Sequence, residues 1–325
     1  MTAQNIVFLF PGQGAQYPGI GKDLFDEYRI VRDTYCEASD VLGYDIGKLS
    51  FEDPDNEINL TRYTQPVLLT HSTACCRIFR ELTGNRAIPN RAAGHSLGEY
   101  SALVCAGSLR FELALDLVRI RGELMGEWGE GEMQALMVDL DTARTLAEQH
   151  YCGIAACNLP EQNVVGGRPE DLDLLVSALS GAVPRARSAR LKTEGAFHTY
   201  YMVEAARRFR KVLESADFAI PEIDVLSNFT GGCHDANTDS IRSRLFLQLF
   251  NPVLWYQNLL TATDTGDSLM IEFGGGLGKG QTAPEKRPNL ESIVKRAFRA
   301  SELPPRYLSV INLPTLENAV NCFQD

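Results

Sequence analysis

The chain has 325 residues, of which 44% are hydrophobic and 22% charged, as is typical of a globular protein with a large core. Its formal net charge of -11 argues against nucleic-acid binding, which needs a basic surface. No apolar run has the length of a membrane-spanning helix, and residues 6–10 are too few for a signal-peptide core. The eight cysteines form no CxxC pair and no zinc-ligand spacing, so we expect free thiols in a reducing cytoplasm and no bound metal.

The first part of the chain has the pattern of an α/β domain. Residues 6–10 form a short continuous apolar run before Pro11, which predicts a buried strand of a parallel sheet. A second strand is predicted over 90–95, and helices are predicted over 68–82, 97–106 and 111–127. Gly107 is well placed to end the helix that follows the second strand.

The next stretch has the order β-α-β-β-α-β, which is that of the ferredoxin-like motif. Its strands are predicted over 135–140, 154–158, 163–166 and 186–192, and its helices over 142–151 and 169–180. We therefore expect a small subdomain at 130–195, inserted into a large α/β subdomain formed by 1–129 and 196–325. The large subdomain resumes with helices predicted over 197–214 and 240–250 and strands predicted over 224–228 and 269–273. The glycine-rich segment 274–288 predicts a mobile loop.

Residues 94–98, GHSLG, match the pattern G-x-S-x-G, in which a serine occupies a tight turn between a strand and a helix. Glycines two positions before and after the serine allow neighbouring backbone to pass without a clash. The serine Oγ is then exposed, and the amide of Leu97 points at the oxygen that becomes negative during acyl transfer. The pattern predicts Ser96 as a nucleophile. The alternative is a serine that only caps the helix.

A serine nucleophile needs a general base, and His198 is the candidate. It follows the apolar approach 195–197 and is predicted to open a helix where the chain returns from the small subdomain, a junction where clefts form. A helix-capping or surface histidine is the alternative. His95 adjoins Ser96, so its side chain should point away from the nucleophile and pack in the core.

The helix predicted over 111–127 carries Arg121 in the middle of its apolar face. A buried guanidinium costs free energy unless it is paired. Its partner is either an acid of the protein, in a structural salt bridge, or the carboxylate of a substrate, held by two hydrogen bonds. The second interpretation predicts an enzyme that rejects acyl groups lacking a carboxylate.

These residues together resemble the malonyl-CoA:acyl-carrier-protein transacylase family, which includes stand-alone and trans-acting acyltransferases of polyketide synthesis. The resemblance covers about 10–280 and rests on stretches in the family's order: FPGQGAQ at 10–16, TQP at 64–66, GHSLGE at 94–99, RG at 121–122 with Met125, AFHT at 196–199 and QLFNPV at 248–253. It implies an α/β-hydrolase-like large subdomain with an inserted ferredoxin-like small subdomain.

The resemblance also implies a ping-pong reaction in polyketide or fatty acid synthesis. Ser96 would take a malonyl or closely related carboxylated acyl group from coenzyme A and pass it to the phosphopantetheine thiol of an acyl carrier protein, with His198 as the base. The other implied roles are an oxyanion hole for the amides of Gln13 and Leu97, carboxylate binding for Arg121, and orientation of the base for the backbone carbonyl of Gln248. We expect malonyl-CoA as a substrate, no permanently bound cofactor, and a cytoplasmic monomer that binds neither nucleic acid nor membrane.

Further positions bear on the acyl group and the loop. Phe197 and Met125 are expected in the substrate pocket. Phe197 before the histidine and Leu97 after the serine resemble the malonyl-selective acyltransferases, since a bulky Phe leaves no room for an α-methyl group. Relatives usually have a Gly-Pro-Gly-Lys turn where this chain has GGGLGKG at 274–280 and a charged extension through Arg287, so contacts with the carrier protein or coenzyme A there could differ.

Carrier proteins are typically acidic, and so is this chain, so docking would need a local basic surface. Arginines on both sides of His198 supply one: Arg185, Arg187, Arg190, Arg207 and Arg208. A solvated face without a partner is the alternative. Two other functions stay open: an editing acyl hydrolase that clears carrier proteins, which would not need Arg121, and a non-catalytic docking module, against which the intact Ser, His and Arg argue.

Overall fold

The computed structural model describes residues 5–264 and 266–324. The strands are β1 Asn5–Phe10, β2 Arg91–Gly94, β3 Glu132–Leu136, β4 Gly153–Leu159, β5 Gln162–Gly167, β6 Ser188–Leu191, β7 Asp224–Val225, β8 Ser268–Phe273 and β9 Arg306–Val310. The helices are α1 Lys22–Glu27, α2 Arg29–Leu42, α3 Ile46–Phe51, α4 Thr61–Leu82, α5 Gly98–Cys105, α6 Phe111–Trp128, α7 Leu140–Gln149, α8 Pro169–Ala182, α9 Val203–Ser215, α10 Thr238–Gln248, α11 Trp255–Ala262, α12 Glu291–Ala297 and α13 Leu313–Asn321. Single turns of 3₁₀ helix occupy Tyr200–Met202 and Ala283–Glu285.

The larger sheet has the order β7-β2-β1-β8-β9, with every neighbouring pair parallel. Strands β1 and β8 are buried along their whole length, as expected for parallel strands covered by helices on both faces. Helices α4, α5, α11 and α13 pack against this sheet. The predicted α/β fold class is confirmed, because the chain forms one parallel sheet and one antiparallel sheet, each packed with helices.

The antiparallel sheet has the order β4-β5-β3-β6, which is the strand order of the ferredoxin-like motif. Helices α7 and α8 cover it around a separate apolar cluster that includes Leu136, Val165 and Leu175. Its strands lie between Glu132 and Leu191, inside the predicted insertion. The limits of that insertion at 130 and 195 stay a prediction.

The chain enters and leaves the insertion at one point. The Ala196 N–H donates to the Glu130 carbonyl at 2.7 Å, two residues before His198. Strand β4 is also joined to the large subdomain, because Cys157 N–H donates to the Val253 carbonyl at 2.8 Å and Val253 N–H donates to the Ala155 carbonyl at 3.0 Å. The small sheet is therefore joined to the large subdomain at two places, one of them two residues before the candidate base.

Several predicted boundaries are wrong for identifiable reasons. Helix α9 begins at Val203, not at His198, because His198 has a φ of 62°, outside the helical region. The strand predicted over 135–140 ends at Leu136, because the Asp139 side chain accepts from Thr142 N–H at 2.9 Å and begins α7 there. The strand predicted over 224–228 is limited to Asp224–Val225.

The helix predicted over 68–82 begins earlier, at Thr61, and continues through Pro66. Its first turn packs against α6 at Gly122, where a Cβ atom would lie 2.6 Å from the Thr61 carbonyl oxygen. The segment 274–288 contains an antiparallel bridge between Leu277 and Arg287 and the 3₁₀ turn after Thr282. Its predicted mobility stays a prediction.

The contact at Gly122 is testable. We expect Gly122→Ala to lower the free energy of unfolding by about 1–3 kcal/mol, because the added methyl group forces α6 away from the backbone of α4. Urea denaturation measures the change. The matched control is Gly181→Ala in α8, where a Cβ atom meets nothing within 4 Å and helix propensity should raise stability by up to about 1 kcal/mol. Equal stability of Gly122→Ala and the unchanged protein would contradict the close helix packing.

Candidate active site

Ser96 lies in the turn between β2 and α5 with a φ of 54°, a backbone conformation that residues other than glycine rarely adopt. A Cβ atom on Gly94 would lie 1.8 Å from the backbone carbon of Gly98, and one on Gly98 would lie 2.2 Å from the Phe10 carbonyl oxygen. Both glycines of the G-x-S-x-G pattern are thus required by backbone contact. The turn presents Ser96 Oγ at the start of a helix.

The Ser96 Oγ lies 2.7 Å from His198 Nε2, and His198 Nδ1 lies 2.7 Å from the backbone carbonyl oxygen of Gln248. A carbonyl oxygen only accepts, so the proton of the imidazole is on Nδ1 and Nε2 is free to accept from the serine. Burial and the nearby charge of Arg121 lower the pKa of His198 to about 3. The imidazole is therefore neutral near neutral pH and able to take a proton.

Two backbone N–H groups at this position have no acceptor in the part of the chain that the structure describes. They belong to Gln13, after β1, and to Leu97, at the start of α5. The Gln13 side chain donates to Thr61 Oγ1 at 3.2 Å and lines the same cavity as Ser96. Unpaired N–H groups beside a serine nucleophile are the donors that an oxyanion requires.

Arg121 is 1% exposed and lies beside the serine. Its Nη2 donates to the Gln248 side-chain Oε1 at 3.1 Å and to Ser96 Oγ at 3.3 Å. Within residues 5–264 and 266–324 no carboxylate oxygen lies within 4 Å of the guanidinium, and its Nε has no partner. Burial lowers the pKa of Arg121, and the negative charge of Glu99 counters that effect. Arg121 therefore forms no direct salt bridge with an acid among the described residues.

A cavity of about 210 Å³ opens in front of Ser96 and His198 between the two subdomains. The small subdomain contributes Met133, Asn158 and Leu191. Asn289 and Leu290, which precede α12, and Ile293 within it complete this side of the cavity. Phe197 also lines the cavity, and its place in the substrate pocket stays a prediction. Met125, also expected in the pocket, is not among the lining residues; it is buried, with its sulfur 3.5 Å from Gln65 Nε2.

The profile of the acyl transferase domain family matches residues 7–273. The chain belongs to this family. It is 36% identical over 275 residues to the polyketide biosynthesis malonyl CoA-acyl carrier protein transacylase BaeC of Bacillus velezensis, covering 83% of this chain and 93% of that protein. It is 37% identical over 281 residues to the malonyl CoA-acyl carrier protein transacylase of Escherichia coli K12, covering 84% of this chain and 89% of that protein.

A solved complex of a type II polyketide-synthase acyl carrier protein with its malonyl-transacylase, PlMCAT:AntF, superposes with a TM-score of 0.86 at 32% identity. It covers 98% of this chain and 100% of that one. The resemblance inferred from the motifs is thus confirmed, and the chain is an acyltransferase. The described residues hold no group of three or more His, Cys, Asp or Glu arranged for a metal ion, and no helix among them is long and apolar enough to cross a membrane.

The basic residues around the candidate base of this acyltransferase differ in how they are paired. Arg190 pairs with Glu132 and Asp173, and both Arg207 and Arg208 pair with Glu204. The Arg208 guanidinium also stacks 3.5 Å above the Trp128 ring. Arg185 and Arg187 are exposed and have no acidic partner within 4 Å in the described residues. These two are therefore the most available of the predicted docking residues.

Sequence reasoning missed several residues of this site. Asn158 accepts from His95 Nε2 at 2.9 Å at the cavity wall, and Asn228 accepts from Ser96 N–H at 2.6 Å. Leu290, just before α12, and Ile293, within it, also line the cavity, and the sequence pattern did not reveal this helix. Each asparagine is the last residue of a strand predicted from the sequence, over 154–158 and 224–228, and a polar residue at that position was the signal available for the first two.

The ionisation of His198 predicts how acylation of the acyltransferase depends on pH. Because its pKa is lowered to about 3, we expect kcat/KM for the acyl-CoA substrate to show no loss from His198 protonation between about pH 8 and about pH 5. Stopped-flow measurement of coenzyme A release checks this. An acid limb near 6.5, the ordinary value for histidine, would contradict the buried neutral imidazole.

The control for this profile is the folded fraction. A histidine whose folded-state pKa lies below 6.5 destabilises the native state as the pH falls below 6.5, because the unfolded chain then binds the proton more readily. Circular dichroism at each pH separates this loss of stability from a loss of catalysis.

Proposed function

We propose that this acyltransferase moves a malonyl group from coenzyme A to the phosphopantetheine thiol of an acyl carrier protein through an ester on Ser96. The observation that carries the proposal is Arg121, a buried cation that has no acid beside it in the described residues and lies 3.3 Å from Ser96 Oγ. A carboxylate on the acyl group would complete its pairing. The names of the relatives, which are malonyl CoA-acyl carrier protein transacylases, support the same assignment.

The first half-reaction forms the ester. Ser96 Oγ attacks the thioester carbonyl while His198 Nε2, 2.7 Å away, takes the hydroxyl proton. The hydrogen bond from His198 Nδ1 to the Gln248 carbonyl holds the ring and stabilises its cationic form. The N–H groups of Gln13 and Leu97 stabilise the oxyanion. When the C–S bond breaks, the departing thiolate of coenzyme A takes the proton from His198.

The second half-reaction is the same chemistry in reverse. The thiol of a phosphopantetheine arm enters the cavity, gives its proton to His198 and attacks the ester on Ser96. The new thioester leaves, and the proton returns to Ser96 Oγ. The solved complex PlMCAT:AntF supports an acyl carrier protein as the protein that carries this phosphopantetheine thiol. The exposed Arg185 and Arg187 are candidate residues for docking it.

Arg121 would determine which acyl groups react. The malonyl carboxylate is separated from the reacting carbonyl by one carbon, so it lies near Arg121 when that carbonyl is at Ser96 Oγ. A guanidinium binds a carboxylate through two parallel hydrogen bonds, and an acyl group without one leaves the cation buried and unpaired. Phe197 in the cavity wall would disfavour an α-methyl group on the malonyl unit. We further propose a cytoplasmic monomer without a resident cofactor.

Substitution of Arg121 tests the substrate class. We expect Arg121→Ala to lower kcat/KM for malonyl-CoA by about 100-fold or more and to leave acetyl-CoA unchanged or improved, because only the malonyl unit pairs with the guanidinium. The matched control is Arg119→Ala on the same helix, whose guanidinium pairs with Glu123 and Asp116 away from the site. Equal losses with both thioesters would mean that Arg121 only supports the fold.

Intact-protein mass spectrometry tests the intermediate. After exposure to malonyl-CoA without carrier protein, we expect one malonyl group on the unchanged enzyme and none on Ser96→Ala, because only Ser96 Oγ can form the ester. Addition of an acyl carrier protein should remove the group. Fast release of coenzyme A without any carrier protein and without a stable adduct would instead indicate an editing hydrolase.

A further inference from the structure

The side-chain amide of Gln248 is fully buried and uses both of its polar atoms inside the catalytic centre. Its Oε1 accepts from Arg121 Nη2 at 3.1 Å, while its Nε2 donates to the Ser96 carbonyl at 3.0 Å and to Glu99 Oε2 at 2.8 Å. These contacts are separate from the backbone carbonyl of Gln248, which bonds to His198. One residue therefore contacts the nucleophile, the base and the cation through different atoms.

Glu99, on the first turn of α5, is also fully buried, and its described hydrogen bonds come only from donors. Its Oε2 accepts from the Asn228 N–H at 2.9 Å as well as from Gln248, and its Oε1 lies 2.8 Å from His234 Nε2. An acceptor-only carboxylate forces the amide of Gln248 to present its NH₂ to Glu99. The amide oxygen is then directed at Arg121.

The arrangement separates two negative groups that would otherwise compete for one cation. If Glu99 paired with Arg121 directly, it would occupy the donors that a substrate carboxylate needs. With the amide of Gln248 between them, the charge of Glu99 still supports the cationic form of Arg121, and the guanidinium keeps donors for a ligand. A single neutral acceptor fixes one end of a long, flexible side chain.

We propose that Glu99 is a positioning residue that acts through the Gln248 side-chain amide to hold Arg121 in the orientation that selects a carboxylated acyl group. This inference rests on the proposed function, because it deepens the role given to Arg121. It assigns selectivity to Glu99 and to the side chain of Gln248, neither of which is among the residues that line the cavity.

The first test removes only the amide. Gln248→Met keeps the backbone carbonyl that orients His198 and a side chain of similar length. We expect the ratio of malonyl to acetyl kcat/KM to fall about 10-fold or more, because Arg121 loses its acceptor, while any effect of the lost amide on Ser96 or His198 lowers both values together.

The second test compares two substitutions of similar size at Glu99. In Glu99→Gln, the amide oxygen can accept from Gln248 and Asn228, and the NH₂ can donate to His234 Nε2, since the unpartnered Nδ1 of His234 is free to carry the ring proton. We expect Glu99→Gln to keep the malonyl preference within about 3-fold and Glu99→Met to lose it as Gln248→Met does.

The ratio of malonyl to acetyl kcat/KM is the decisive readout, because a fold defect lowers both values together and leaves their ratio unchanged. The double variant Arg121→Ala/Gln248→Met should have the same ratio as Arg121→Ala alone, since the effect of Gln248→Met on the ratio passes through the Arg121 guanidinium. If Glu99→Met does not fold, Gln248→Met tests the same step.

Two results would overturn the inference in distinguishable ways. Parallel losses with both thioesters in Gln248→Met, while Arg121→Ala loses the malonyl preference, would reduce Glu99 and Gln248 to structural residues and leave the proposed function intact. A malonyl preference that survives in Arg121→Ala would remove the proposed function and this inference together.

Discussion

Burial of the Arg121 cation without an acid beside it in the described residues is the arrangement on which the catalytic centre depends. An unpaired guanidinium in a low-dielectric interior costs several kcal/mol unless other groups offset that cost. Here the offset comes from Gln248 Oε1, from Ser96 Oγ and from the carboxylate of Glu99 behind the amide. The cation stays within reach of the nucleophile, and the pairing that remains incomplete is the one a carboxylated acyl group would supply.

The backbone around this cation is held in a conformation that local preference opposes. Ser96 and His198 both have positive φ values, 54° and 62°, and each such residue costs about 1–2 kcal/mol. Hydrogen bonds to their own backbone offset the strain: Asn228 accepts from the Ser96 N–H at 2.6 Å, and His198 N–H donates to the Leu249 carbonyl at 3.1 Å. The small subdomain precedes His198 in the chain and supplies a second wall of the cavity. The junction between the subdomains therefore places both the base and part of the cavity lining.

The features of the fold and site that could be predicted are those that depend on residue spacing within a short stretch of sequence. The G-x-S-x-G turn, the apolar strand before it and the unexpected arginine on an apolar helix face all signal their roles within a few residues of Ser96 or Arg121. The amide of Gln248 and the carboxylate of Glu99 could not be joined this way, because they are 149 positions apart and meet only through the fold. The helices α1, α3 and α12 have only six or seven residues, too few to show a period. Helix α2 was missed although its buried residues Val31, Tyr35, Ala38 and Leu42 recur at helical spacing.

The low pKa of His198 and the charge of Arg121 are linked, and in the proposed reaction they would act together. Burial is the larger cause of that low pKa, and the Arg121 cation is the second. In the proposed reaction a malonyl carboxylate would offset the cation, so the second cause would weaken and the pKa of His198 would rise toward its ordinary value. A stronger base would then be present at the moment when a carboxylated thioester occupies the cavity. An acyl group that leaves Arg121 unpaired would leave the base weak as well, so selection by charge would act on the chemical step as well as on binding.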